Sequence, residues 1–325
     1  MATALSLSLE EAARRVTERY LALAPGENFL IVSDTSSSPA IARTLFDAAL
    51  ASEARPVHAL IPPAARSGED PPPSVAAAMR TADVCVCAAS RSLYHTRATG
   101  EAQESGTRGC FNAPFREEQW TRGAMTADFV ELRVVAERLA DRLRGAKEVR
   151  VTSPGGTDVV VGIGGRAPKG WLTGVCRNPG EVSAFPGGEV SFPPLEGTAE
   201  GIVVVERVMT DLGALEEPIT WIVEEGEAVE IRGGDDAQRL VDVIAGVPHA
   251  RNVAELGIGL NPAAILGDDI TESKKLAGTA HMALGDNAGG YGGVVESPVH
   301  LDGMILAATV AIDGDVVVRE GELLL

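Results

Sequence analysis

Apolar and polar positions follow two rhythms along this chain, and the rhythm changes near residue 146. In the first part, helical spacing alternates with short apolar runs. Ser8 and Glu11 form a possible capping box that opens an amphipathic helix to about Leu23, and residues 28–33 (NFLIVS) read as a buried strand. Ser38 and Pro39 supply N-cap and N1 chemistry for a second helix through about Ala51. Further strands are expected at 56–61 and 83–88, separated by a Pro-rich loop and a short helix around 74–81. The strongest helical pattern covers 128–145, with Val130, Val134, Val135 and Leu139 on its apolar stripe. Strand–helix–strand alternation of this kind predicts a parallel, doubly wound sheet.

Past residue 146 helices become rare, and Val-rich alternating segments take over: KEVRVTS, TDVVVGI, EGIVVVERV, ITWIVEE and EAVEIRG. One helix is expected at 235–245. The chain closes in a meander whose Asp313-Gly314 pair reads as a hairpin turn, and the acid-rich stretch 224–230 reads as a solvated hairpin. The expected architecture is therefore an α/β N-terminal domain with a parallel sheet, residues 1–146, and an α+β, mostly antiparallel C-terminal domain, residues 147–325, that carries the chemistry.

Composition narrows the partners. Against 46 Asp+Glu stand 28 Lys+Arg, a formal charge of −18, with no basic run, which excludes a nucleic-acid groove and an anionic membrane surface. No apolar run approaches the roughly 18–20 residues of a membrane span, and MATALSLSLEE lacks the features of a signal peptide, so the expectation is a soluble cytoplasmic protein. Cys85 and Cys87 alternate within a strand and are expected on one buried face as small apolar residues; with Cys110 and Cys176 they are too scattered for a disulfide scaffold. No nucleotide fingerprint is present: SDTSSSP lacks the glycines, and an N-cap explains its serines. Trp171 and Trp221 read as core or interface residues, and the glycines around Tyr291 as turn chemistry.

The candidate chemistry lies late in the chain. His300 and Asp302 are two apart in an extended stretch, so an imidazole and a carboxylate can point at one cation. Glu255 lies in NVAELGIGLNP, where a buried charge costs several kcal/mol unless it is paired or metal-bound. Glu189 lies in the Pro/Gly-bracketed AFPGGEVSFPP; Arg177 or Arg251 is an alternative partner for either glutamate. With His281 in TAHMALGDN, these residues form a hard-to-borderline ligand set suited to Zn, Mn, Co or Fe(II).

The run GTDVVVGIGGR and FPGGEVSFPP, then AELGIGLNP, KKLAGTAHMALGDN and SPVHLDGMI, resembles the metal-binding half of the aminopeptidase T family of leucyl aminopeptidases. The resemblance implies a two-metal site held by Glu189, Glu255, His281, His300 and Asp302. A sixth ligand of that family, a tyrosine seven residues after the first histidine, is Ala288 here, with Tyr291 three residues further on. The segment FPGGEVSFPPLEGTAEGIVVV also resembles the 2,5-dihydroxypyridine dioxygenases, mononuclear Fe(II) enzymes with a histidine where this chain has Glu255 and an H-x-D pair matching His300 and Asp302.

The leading expectation from these resemblances is a metal-dependent hydrolase of aminopeptidase type, with Zn, Co or Mn, one or two ions per chain, and Glu189 as general base. The alternatives are an Fe(II) dioxygenase opening a small hydroxylated aromatic or N-heterocyclic ring, and a non-catalytic metal-binding protein. The expected partners are a small molecule or short peptide and further copies of the chain in a homo-oligomer.

Overall fold

The computed structural model describes residues 6–166, 172–288 and 292–325. Two units emerge, and neither is continuous in sequence: Met1–Arg133 with Leu172–Gly187, and Val134–Trp171 with Gly188–Leu325. The segment 172–187 thus belongs with the N-terminal residues, although its linear pattern gives no sign of it.

The first unit is built on five parallel strands in the order Arg55–Ile61, Asn28–Asp34, Val84–Ala88, Arg108–Asn112 and Val182–Ala184. Its central strands are buried on both faces, as the apolar runs NFLIVS and VCVCA require. Cys85 and Cys87 share one face with their sulfurs 3.7 Å apart, and burial pushes the Cys85 thiol up, so it stays a neutral apolar group. The helix Pro39–Ala51 starts where Ser38 and Pro39 place it. The first helix is shorter than its pattern suggests: it runs from Leu9 to Arg14 and continues as a π-helix over Arg15–Tyr20. Arg97–Glu104 and Arg108–Asn112 escaped the sequence reading because RATGEAQE is mostly polar and RGCFN too short to show a period. The serines after the first strand serve the fold: Asp34 accepts from the Ser36 and Ser90 N–H groups and from the Ser37 and Ser90 hydroxyls, while Ser38 caps the helix.

The second unit contains two antiparallel sheets. Eight strands run in the order Glu227–Arg232, Ile219–Glu224, Glu200–Val205, Asp158–Gly162, Glu148–Thr152, Thr309–Ile312, Asp315–Arg319 and Glu322–Leu323. Six run Gly213–Ala214, Val208–Met209, His300–Ile305, Ala280–Gly285, Val253–Gly259 and Glu189–Phe192. Asp313 and Gly314 both adopt positive φ in the hairpin between Thr309–Ile312 and Asp315–Arg319, and the 224–230 acids lie exposed around a second hairpin. The apolar faces of the sheets meet in one core with Trp221, Val203 and Val205 from one side and Leu256, Ile258, Met282, Leu284 and Leu301 from the other. The helix Asp235–Ile244 adds Ala237, Leu240 and Ile244. Trp221 is fully buried, as expected; Trp171 lies outside the described residues. No helix among the described residues is long and apolar enough to cross a membrane.

Where the sheets approach most closely, a glycine is required. A Cβ on Gly303 would lie 2.5 Å and 2.8 Å from the Val205 methyls and 3.3 Å from the Trp221 ring. Gly303→Ala is therefore expected to destabilise the protein by about 1–3 kcal/mol through overpacking. Denaturant unfolding would show a lower midpoint with an unchanged slope.

Candidate metal centre

Strand alternation gathers the candidate ligands. In the six-stranded sheet Glu255 lies opposite Ala283, and Ala283 opposite Asp302; two residues to one side Gly257 lies opposite His281, and two residues to the other Gly285 lies opposite His300. Two residues beyond Gly257, Glu189 faces Gly259. Residues two apart on a strand share a face. Hence Glu189, Glu255, His281, His300 and Asp302 all project from one face, while the residues between them, such as Leu256, Met282 and Leu301, fill the core behind. Small residues leave room among them: a Cβ on Gly257 would lie 2.1 Å from the His281 ring.

Glu189, Glu255, His281 and Asp302 are buried, and His300 is partly so. His300 Nε2 lies 2.8 Å from Glu255 Oε2 and 3.5 Å from Asp302 Oδ1. His281 Nε2 stands 3.8 Å from both Glu189 Oε2 and Glu255 Oε1, too far for a hydrogen bond. The arginines offered as alternative partners are elsewhere: Arg177 donates to the Arg19 carbonyl and Arg251 to the Ala228 carbonyl.

Two residues the sequence reading passed over complete the cluster. Lys274 Nζ donates to Asp302 Oδ2 at 3.0 Å and lies 3.9 Å from Glu189 Oε2. The fully buried Lys275 places its ammonium 2.8 Å from Glu189 Oε1. Both lysines stood inside KKLAGTAHMALGDN, and the only signal was a charged pair running directly into buried apolar sequence. Their charge shapes the electrostatics. Burial is the largest single influence and alone would raise the three carboxyls, but Lys274 with the histidine contacts together outweigh it at Glu255 and Asp302, and Lys274, Lys275 and His281 together at Glu189, so all three lie below the usual carboxylate range. Burial likewise pulls His300 down, yet its contacts with Asp302 and Glu255 prevail and push it up to about 10. The same contacts raise Lys274, while burial pulls Lys275 below the usual lysine value against the attraction of Glu189, so three carboxylates face three basic groups.

The backbone fixes which histidine nitrogen faces this cluster. His300 Nδ1 lies 2.8 Å from the Asp286 carbonyl, which only accepts, so Nδ1 carries a proton and Nε2 points at the carboxylates. The Asp302 N–H donates to Thr210 Oγ1 and its carbonyl accepts from the Thr210 N–H, pinning that carboxylate's strand. The segment beside Asp286 is held in turn by Glu196, which accepts from the Asn287 amide and the Val294 N–H, and by its ion pair with Arg166. Gly289, Gly290 and Tyr291, the tyrosine three residues past Ala288, lie outside the described residues.

This donor set fits a divalent ion. Single ligand atoms of Glu255, His300 and Asp302 lie within 4.8 Å of one another. Asp302 Oδ1 and both ring nitrogens of His281 are buried without a hydrogen-bond partner, which is costly for polar atoms unless something else engages them. Carboxylate oxygen and imidazole nitrogen suit Zn, Mn, Co and Fe(II) alike.

Comparison with known proteins gives the chain a family. The structure of 2,5-dihydroxypyridine dioxygenase from Pseudomonas putida KT2440 superposes with a TM-score of 0.83 at 20% identity, covering 97% of this chain and 96% of that one. The wild-type AmpT of Thermus thermophilus superposes with a TM-score of 0.71 at 18% identity, covering 98% and 99%. At such identities the likeness shows the fold, an α/β unit with a parallel sheet joined to antiparallel sheets. A search of curated proteins finds no match. The family model of NicX, 2,5-dihydroxypyridine 5,6-dioxygenase, matches residues 11–325, so the chain belongs to the NicX family.

Proposed function

We propose that this chain is a metal-dependent oxygenase that opens a small hydroxylated aromatic or N-heterocyclic ring, with one Fe(II) held by Glu255, His300 and Asp302. The observation that carries this reading is a family match over nearly the whole chain, joined to a three-residue donor cluster on one sheet face. It reverses the order of the sequence-based expectations, which placed hydrolysis first.

Bound there, Fe(II) would supply the redox chemistry that couples dioxygen to an electron-rich ring. The chain's own groups do the rest. The Asp286 carbonyl holds the His300 tautomer so that Nε2 offers its lone pair once its proton leaves. Lys274, the more exposed of the two lysines, presents a fixed positive charge at the edge of the cluster and would orient an anionic ring oxygen. Burial of the carboxylates keeps water away from the reacting groups.

The hydrolytic reading has support of its own: Glu189, His281 and Glu255 converge within 3.8 Å contacts, and AmpT shares the fold. One pair of assays separates the two. Protein loaded anaerobically with Fe(II) is expected to consume oxygen with dihydroxylated pyridines or benzenes, and Zn- or Co-loaded protein to leave aminoacyl amides uncleaved. Amide cleavage without oxygen uptake would reverse the assignment. His300→Ala and Asp302→Ala are each expected to weaken Fe(II) binding by more than the roughly 10–100-fold that outer partners of a metal site contribute. Equilibrium dialysis reads this directly.

Metal binding should also depend on pH in a defined direction. With His300 raised to about 10, its Nε2 is protonated in the metal-free protein at neutral pH, and an ion must displace that proton. The apparent affinity should therefore climb about tenfold per pH unit from neutral pH and level off as His300 deprotonates near pH 10. Calorimetry with Mn(II) in buffers of different ionisation enthalpy should find about one proton released per ion at neutral pH.

A further inference from the structure

We propose that the ammonium group of Lys275, supported by Lys274, serves as a built-in cation where a second metal would otherwise bind, and so limits the centre to one ion. The inference deepens the one-metal reading above. It rests on Glu189, a fully buried carboxylate that reaches no metal-donor trio of its own among the described residues. Lys275 Nζ stands 2.8 Å from one Glu189 oxygen and Lys274 Nζ 3.9 Å from the other, so both oxygens face ammonium groups supplied by the chain.

Position and burial argue that this pairing is built rather than incidental. Lys275 is fully buried, and its backbone is fixed at both ends: its carbonyl accepts from the Asn261 N–H at 2.7 Å and its N–H donates to the Glu272 carbonyl at 3.0 Å. The side chain therefore has no route to solvent without moving that turn. A second ion held by Glu189 would draw the carboxylate away and leave a buried ammonium unpaired, an expensive arrangement. His281 points the same way. It lies between Glu189 and Glu255, fully buried, with neither ring nitrogen in a hydrogen bond, so the donors around a second ion persist while the charge that would attract it is already met.

The test counts ions on the intact chain. Chelator-stripped protein is reloaded with excess Co(II), and bound metal is measured by native mass spectrometry and elemental analysis. Wild type is expected to hold one ion per chain, Lys275→Met two, and Lys275→Arg, which keeps the charge, one. Two ions in wild type, or one in folded Lys275→Met, would overturn the proposal. Should Lys275→Met not fold, the wild-type EPR spectrum decides: an isolated Co(II) signal with excess metal supports the proposal, and a spin-coupled pair overturns it. None of these counts requires turnover. A protein that holds one ion yet opens no ring would remove the proposed activity and leave this inference standing.

Discussion

Three carboxylates withdrawn from water on one sheet face must be matched by positive charge, and much of the second unit is arranged around that requirement. Glu189, Glu255 and Asp302 are too deeply placed for solvent to screen them. Lys274, Lys275 and His300 answer them from within the chain, each at a contact of 3.0 Å or less with a carboxylate oxygen. Ion pairs so placed add little net stability compared with an apolar core, so their persistence points to a use. A divalent ion that displaced the His300 proton would leave the cluster with a single excess positive charge when both lysines are protonated.

Rigidity follows from where these groups are mounted. Four neighbouring antiparallel strands carry the five candidate ligands, and the alternate residues of the same strands lock into the shared core. A site built on strands holds its geometry more closely than one built on loops. The loop segment that does contribute, at Asp286, offers a backbone carbonyl, and Glu196 and Arg166 anchor its neighbours. The glycines and alanine among the ligands serve the same end, because Gly257 and Ala283 keep the face open enough for an imidazole and two carboxylates to converge.

Glu255 stands at the middle of the donor cluster, in contact with His300. Its carboxylate adds one negative charge beside His300 and Asp302. Lys274 sits where that charge is felt and is among the main influences holding Glu255 ionised. Glu255 and Lys274 thus make electrostatic sense together, although 19 residues separate them in sequence.

Much of this was legible in the residues alone. Ser38 and Pro39 start a helix wherever they stand before an apolar stripe, the Asp313-Gly314 turn needs no partner to be recognised, and period-two alternation places His300 beside Asp302. These signals are local, because they depend on φ, ψ and spacing within a few residues. The tertiary structure alone decided what lay across strands. It returned residues 172–187 to the first unit, gave Glu189 to Lys275 instead of an arginine, and set the Asp286 carbonyl behind His300. Those pairings are set by strand register and burial, which bring together groups between 14 and 86 residues apart, and no periodicity along a chain records which buried charge will meet which.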